Sequence, residues 1–195
     1  MLTDNSNMLD IALWNAFRKG DYHAFNKIYE RYSKDLLSYG LKITNDIQLT
    51  EDSLHDLFID LWTSRKNLSD TNSIKFYLFK ALRNKISNAK TRDHFYQMKD
   101  LSTETANADE FVIETYLIDT ETQNHLEYQL KKNFQQLSPR QQQALNLRFY
   151  HHFKNEEIAE IMGVNYQSAC KFIYSGIKAL KEAVRILSIF LLANF

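Results

Sequence analysis

The run Asn155-Glu156-Glu157-Ile158-Ala159-Glu160-Ile161-Met162-Gly163-Val164-Asn165-Tyr166-Gln167-Ser168 has residue types at a spacing suited to gripping a DNA duplex. Asn155 is expected to cap a helix, because its side-chain oxygen can accept an orphan backbone N–H. Glu156 and Glu157 in the first turn favour the positive end of the helix dipole. Ile158, Ile161 and Met162 recur at helical spacing, and Ala159 is small enough to let a second helix approach. Gly163 supplies the left-handed residue that ends the helix, and Asn165 can cap the next one. Helix, tight turn, helix is a motif whose second member commonly enters a major groove. The sequence therefore points to DNA as a partner.

Charge supports that reading only when it is followed along the chain. The 195 residues carry 24 Lys+Arg and 24 Asp+Glu, so the neutral total is silent about nucleic acid. Within 75–92, however, stand Lys75, Lys80, Arg83, Lys85, Lys90 and Arg92 with no acid among them. The stretch 100–121 reverses this, with seven acids and no base. Four Gly and one Pro disfavour a turn-rich β architecture. The lone Cys170 excludes an internal disulfide and suits a reducing cytosol. No basic region followed by an apolar core opens the chain, so no signal peptide is expected. The longest apolar run, 186–193, is broken by Ser188 and falls short of the roughly 20 residues that span a bilayer.

Helices must position these groups. Leu9, Leu13, Ala16 and Phe17 form the apolar face of a first one. Asp21 can cap a second, carrying Ala24, Phe25, Ile28, Tyr29, Tyr32 and Leu36. A third runs over about 50–62, with Leu54, Leu57, Phe58, Leu61 and Trp62 on its apolar side. A polar loop, 63–73, leads to a fourth that starts near Ile74 and bears the basic block. Residues 94–124 are acidic and poor in apolar side chains, and read as a linker with a short helix at most. Leu126, Leu130, Phe134 and Leu137 open a second helical domain near His125, and Ser138-Pro139-Arg140-Gln141 is a capping box with Pro in the first turn. The expected fold is all-α: two small helical domains, 1–93 and 125–195, joined by an acidic linker, the second domain containing the helix-turn-helix.

In their order, these motifs resemble a known family. They are Asp21-x-x-Ala24-Phe25-x-x-Ile28-Tyr29-x-x-Tyr32, then Glu51-Asp52-x-x-His55-Asp56-Leu57-Phe58-Ile59-x-Leu61-Trp62, then Tyr77-Leu78-Phe79-Lys80-Ala81-Leu82-Arg83-Asn84, and finally Leu137-Ser138-Pro139-Arg140-Gln141 with the helix-turn-helix. Together they are similar to the extracytoplasmic-function group of bacterial RNA polymerase sigma factors, over nearly the whole chain. The resemblance implies a non-enzymatic, cytoplasmic protein that binds core RNA polymerase, directs it to a promoter and helps separate the strands. It implies core polymerase, promoter DNA and an anti-sigma factor as partners, with no cofactor, no small-molecule substrate and no membrane insertion.

It also implies roles for particular residues. Asp52, Asp56 and Asp60 lie four apart on one helical face. By resemblance this face docks on the polymerase, with Phe58, Leu61 and Trp62 partly core and partly anchor; on charge pattern alone it would be a solvated acidic face. His55 stands where the family usually has Gln. Lys75, Lys80, Arg83 and Lys90 are expected on phosphates, with Asn84 beside them, and Phe76 and Tyr77 on unstacked bases, while Phe79 reads as core. Tyr77 occupies a place where the family commonly has Trp, and Asn88 replaces a usual Asp. The loop 63–73 corresponds to the family's pocket for a flipped base, whose edge Asn67, Asp70 and Asn72 could read. The linker, by resemblance, threads the polymerase cleft, where its acids compete with nucleic acid for basic walls.

The recognition helix, about 165–178, offers Tyr166, Gln167, Ser168, Lys171, Tyr174 and Lys178, fewer cations than the family usually places there. Gln167 suits adenine, Ser168 a base or phosphate, and Arg140 and Lys154 flanking phosphates. His151, His152 and Cys170 match no zinc spacing; a surface role is expected for the histidines and a packing role for the cysteine. The apolar end, with Leu187, Phe190 and Leu191, reads as core, self-association surface or anti-sigma contact. A dimeric operator-binding regulator is the alternative function, and it accounts only for 139–180.

Overall fold

The computed structural model describes the backbone of residues 2–99 and 131–193, and side chains of 9–92 and 131–182. The chain divides into two compact units, Met1–Asp109 and Glu110–Phe195. Among the described residues there is no strand.

The first unit packs α1 (Leu2–Arg18), α2 (Tyr22–Thr44), α3 (Ile47–Thr63) and α4 (Ile74–Lys99), with a 3-10 turn at Arg65–Asn67. Its helix ends follow local chemistry. Asp21 Oδ1 accepts from the backbone N–H groups of His23 and Ala24 and starts α2. Asn45, in the left-handed conformation at φ 55°, ends it. One residue on, Asp46 Oδ1 accepts from Leu49 N at 2.9 Å and opens α3. Ser73 Oγ accepts from Phe76 N at 3.1 Å and opens α4, near the expected start.

The core of this unit is aromatic and aliphatic: Trp14, Phe17, Ile28, Leu36, Tyr39, Leu57, Ile74, Leu78, Phe79 and Leu82 are all buried. Full burial of each such side chain contributes about 1.5–3 kcal/mol before entropy is charged against it. Phe79 is core, as expected. The predicted face of α1 holds in part: Phe17 is buried and Leu13 and Ala16 half-buried, but Leu9 is 63% exposed, and Trp14, outside that face, is only 1% exposed. The larger rings reach the neighbouring helices, with Trp14 5.1 Å from Tyr77 of α4 and Phe17 5.9 Å from Phe25 of α2.

The second unit contains helical residues 131–135, α5 (Pro139–Leu145), a π-helical turn at Asn146–Tyr150, α6 (Asn155–Met162) and α7 (Tyr166–Ala193). The predicted capping box forms: Gln141 N donates to Ser138 Oγ and Ser138 N donates to Gln141 Oε1, with Pro139 in the first turn. Leu145, Leu147, Ile158, Ile161, Met162, Ala169 and Ile173 close the core. Gln141 Nε2 donates to Ser175 Oγ at 2.8 Å and ties α5 to α7. Leu126 and Leu130, the stretch 100–130 and the side chains of Leu187, Phe190, Leu191 and Phe195 lie outside the described residues.

Candidate nucleic-acid interface

On the first unit two charged rows face solvent. Asp52, Asp56 and Asp60 are exposed along α3, because Thr50, Ser53, Leu57, Phe58 and Leu61 take the buried side of the same helix. The three acids are not equivalent. Gln48 Nε2 donates to Asp52 Oδ1 at 3.0 Å, and Lys85 Nζ pairs with Asp60 Oδ2 at 2.5 Å. Asp56 is exposed and has no partner among the described residues. His55 is exposed beside it.

Of the three residues read as partly core and partly anchor, two are core. Phe58 and Leu61 are buried and offer no surface; Phe58 is held edge-on by Tyr29, 4.8 Å away, and by Phe25. Trp62 is half-buried, against Phe25 at 5.1 Å and Tyr22 at 5.8 Å, with the Arg65 guanidinium 4.3 Å over its ring. The apolar groups that do reach solvent near this row are Tyr22 (59% exposed), Tyr29 and Ile59. Sequence periodicity assigned Tyr29 to the core face of α2. The tertiary packing turns it outward and leaves Ile28 and Tyr32 inside.

Along α4, Lys75, Phe76, Tyr77, Lys80 and Arg83 are half-buried and Asn84 and Lys90 exposed. Cation and ring are paired: Lys80 Nζ lies 5.6 Å from the Phe76 centroid and Lys75 Nζ 5.9 Å from that of Phe79. Burial lowers the Lys75 pKa from its ordinary value, partly opposed by Asp35. Burial also raises that of the Tyr77 phenol, with Asp60 adding to it. Lys90 Nζ donates to Ile43 O at 3.1 Å, so part of its work is to satisfy the end of α2.

The 63–73 loop is fastened to α1. Trp14 Nε1 donates to Ser69 O at 3.0 Å, and Arg18 pairs with Asp70. At the loop's ends, Arg65 Nη1 donates to Trp62 O, Asn67 N to Ser64 O, and Ser73 N to Thr71 Oγ1. The Asn67 and Asn72 side chains are exposed and make no hydrogen bond among the described residues. Asp70, predicted as a base reader, is instead engaged by Arg18.

On the second unit the helix-turn-helix forms with one change. Asn155 does not cap α6. Lys154 occupies the cap position, and its backbone N–H donates to Glu157 Oε2 at 2.8 Å. Asn155 turns inward instead, with Nδ2 3.4 Å from Cys170 Sγ. Gly163 sits at φ 64° and ends α6, and Asn165 Oδ1 accepts from Ser168 N at 2.8 Å to open α7, both as expected. Tyr166, Gln167, Lys171, Tyr174 and Lys178 are exposed on α7, Ser168 is half-exposed, and Arg140 and Lys154 are exposed beside it. Tyr174 is 72% exposed, an apolar ring held in water on the recognition helix. His151 is not on the surface: it is 2% exposed, with Tyr150 edge-on at 4.8 Å, whereas His152 is exposed. No metal-binding cluster occurs among the described residues.

These features define a class: an all-α protein with a helix-turn-helix in one unit and paired acidic and basic helices in the other. Two family matches fall on those two units, Sigma-70 region 2 over residues 28–95 and Sigma-70 region 4 over residues 129–180. Together they cover more than half of the chain, and it belongs to the sigma-70 family. It is an alternative sigma factor, which binds core RNA polymerase and promoter DNA and directs transcription initiation. Solved structures share the fold. The sigma factor RpoE from Bartonella quintana, in complex with the anti-sigma factor NepR, aligns with a TM-score of 0.60 at 19% identity, covering 83% of this chain and 97% of that one. CnrH, in complex with the cytosolic domain of CnrY, aligns with a TM-score of 0.57 at 14% identity, covering 91% and 97%. No curated protein matches by sequence.

Proposed function

We propose that the two charged rows of the first unit divide the work of initiation. The α3 row, with Asp56 at its centre, docks on a basic surface of the polymerase, and Tyr22, Tyr29 and Ile59 supply apolar contact at its margin. Lys75, Lys80, Arg83 and Lys90 on α4 hold phosphates of the melted strand, and Phe76 and Tyr77 offer ring faces to unpaired bases. The 63–73 loop holds a flipped base, with Asn67 and Asn72 free to meet its edge. On α7, Gln167, Ser168 and Lys171 read the upstream element, and Arg140 and Lys154 grip its flanking phosphates. The acidic stretch 94–124 competes with nucleic acid inside the polymerase. The protein acts in the cytoplasm, is not itself an enzyme, and is held inactive by an anti-sigma factor. The complex of RpoE with NepR supports the last point.

The observation that carries this division is the exposed row of acids on α3 beside half-buried cations interleaved with aromatics on α4 within one unit. Its test is a pair of variants. Asp52→Lys/Asp56→Lys should weaken core polymerase binding by at least ~10-fold, as expected when paired interface charges are reversed. Lys80→Ala/Arg83→Ala should keep polymerase affinity and lose strand opening. If the α3 variant binds polymerase normally, the docking assignment is wrong.

A further inference from the structure

The 63–73 loop carries too few apolar residues to hold its own shape: Leu68 is its one aliphatic side chain. It is nevertheless held at two adjacent residues, one through its backbone and one through its side chain, by a helix more than fifty residues away. At Ser69 the carbonyl oxygen accepts the Trp14 indole N–H at 3.0 Å. The next residue, Asp70, meets the Arg18 guanidinium. Trp14 and Arg18 are four apart and so lie on one face of α1. Trp14 is itself immobile: it is 1% exposed and packed against Phe17 and Tyr77. Tyr77 is one of the rings offered to unpaired bases, so a single buried indole touches both the loop and the stacking surface.

We infer that Trp14 and Arg18 are positioning residues for promoter readout: they latch the 69–70 segment so that Asn67 and Asn72 stand in fixed places for the edge of the flipped base. Asp70 belongs to the latch and does not read the base. The inference rests on the loop being the base-holding element. Its logic is preorganisation. A polar loop free to move must be ordered at the moment a base enters, and that ordering cost falls on correct and incorrect bases alike while blurring the geometry that separates them. The indole hydrogen bond is suited to the task because its donor has no other partner in an apolar environment and loses most if the loop shifts.

The test uses core polymerase with each variant and a promoter library randomised at the downstream element, read as the ratio of initiation on the preferred base to that on the other three. Trp14→Phe keeps an aromatic ring and removes only the donor group with part of the indole. It should lower that ratio about fivefold, the equivalent of one net hydrogen bond, with polymerase affinity and upstream preference unchanged. Trp14 is also core, so the surface pair provides an independent arm. Asp70→Arg alone should lower the ratio, and Arg18→Asp combined with Asp70→Arg should restore it to within about twofold, since the reversed pair recreates the latch. A base reader could not be rescued this way. A double variant as unselective as Asp70→Arg alone would make Asp70 a reader and overturn the inference, as would parental selectivity in both Trp14→Phe and Asp70→Arg. Asn67→Ala and Asn72→Ala separate the two levels. If they leave selectivity intact, the loop is not the base-holding element. If they abolish it while the latch variants do not, only the latch is wrong.

Discussion

Gly40→Ala should destabilise the first unit, against the helix propensity of alanine. Gly40 is buried in α2, where it faces α3 and α4. A methyl group added there would overlap Thr50 Cγ2 and come within 3.5 Å of Ile86 Cδ1. Thr50 is fully buried and its rotamer is pinned: Oγ1 donates to Asp46 O at 2.6 Å and lies 2.9 Å from Thr44 Oγ1. Turning Cγ2 away would break both contacts, each worth about 1 kcal/mol net. Overpacking a fitted core costs about 1–3 kcal/mol, and replacing a mid-helix glycine returns about 1 kcal/mol. The net loss should therefore be about 1 kcal/mol. In a Thr50→Ser background the hydroxyl remains and Cγ2 is gone, so Gly40→Ala should become neutral or stabilising. The assay is urea unfolding followed by tryptophan fluorescence, which reports on this unit alone because both tryptophans, Trp14 and Trp62, lie in it. An equal loss in both backgrounds, or none in the parent, would refute the close approach of α2 to α3. That approach sets where the acidic row points, so the parent-background variant should also weaken polymerase binding.

On the second unit, Lys171→Glu should reduce transcription from an upstream-element promoter by at least ~10-fold, the range for losing one groove contact, and leave polymerase affinity intact; normal transcription would remove α7's Lys171 face from the groove. Lys75 gives a pH signature. Its pKa is lowered from 10.5, chiefly by burial, so the folded protein loses this charge on approaching 10.5, before an exposed lysine would. Binding of single-stranded promoter DNA by the polymerase complex should weaken in that window, and Lys75→Arg, which stays protonated, should resist the loss. The same shift means that charged Lys75 opposes folding at neutral pH, an opposition relieved as pH rises through its folded pKa.

Much of this protein was legible as sequence because it depends on local chemistry. Asp21, Ser138, Gly163 and Asn165 act within a turn of their own positions, so residue type and spacing were enough to place them. The helix-turn-helix, the basic block and the acidic row are likewise patterns of a few consecutive turns. Asn155 shows where that reasoning ends. By type it is a good cap, but Glu157 reaches back to the Lys154 N–H, and the asparagine turns inward toward Cys170, fifteen residues on.

Three further matters were settled only by tertiary contact. Which apolar residues of an amphipathic helix are buried depends on the neighbours that cover them, so Leu9 and Tyr29 emerged while Trp14 went inside. Whether a charged residue is free depends on what packs across from it: Asp56 is, Asp60 and Asp70 are not. The shape of the 63–73 loop depends on Trp14 and Arg18, more than fifty residues away. A periodic pattern specifies a helix and its faces, because the backbone repeats. It does not specify partners across a long loop, because those distances are set by how the helices pack.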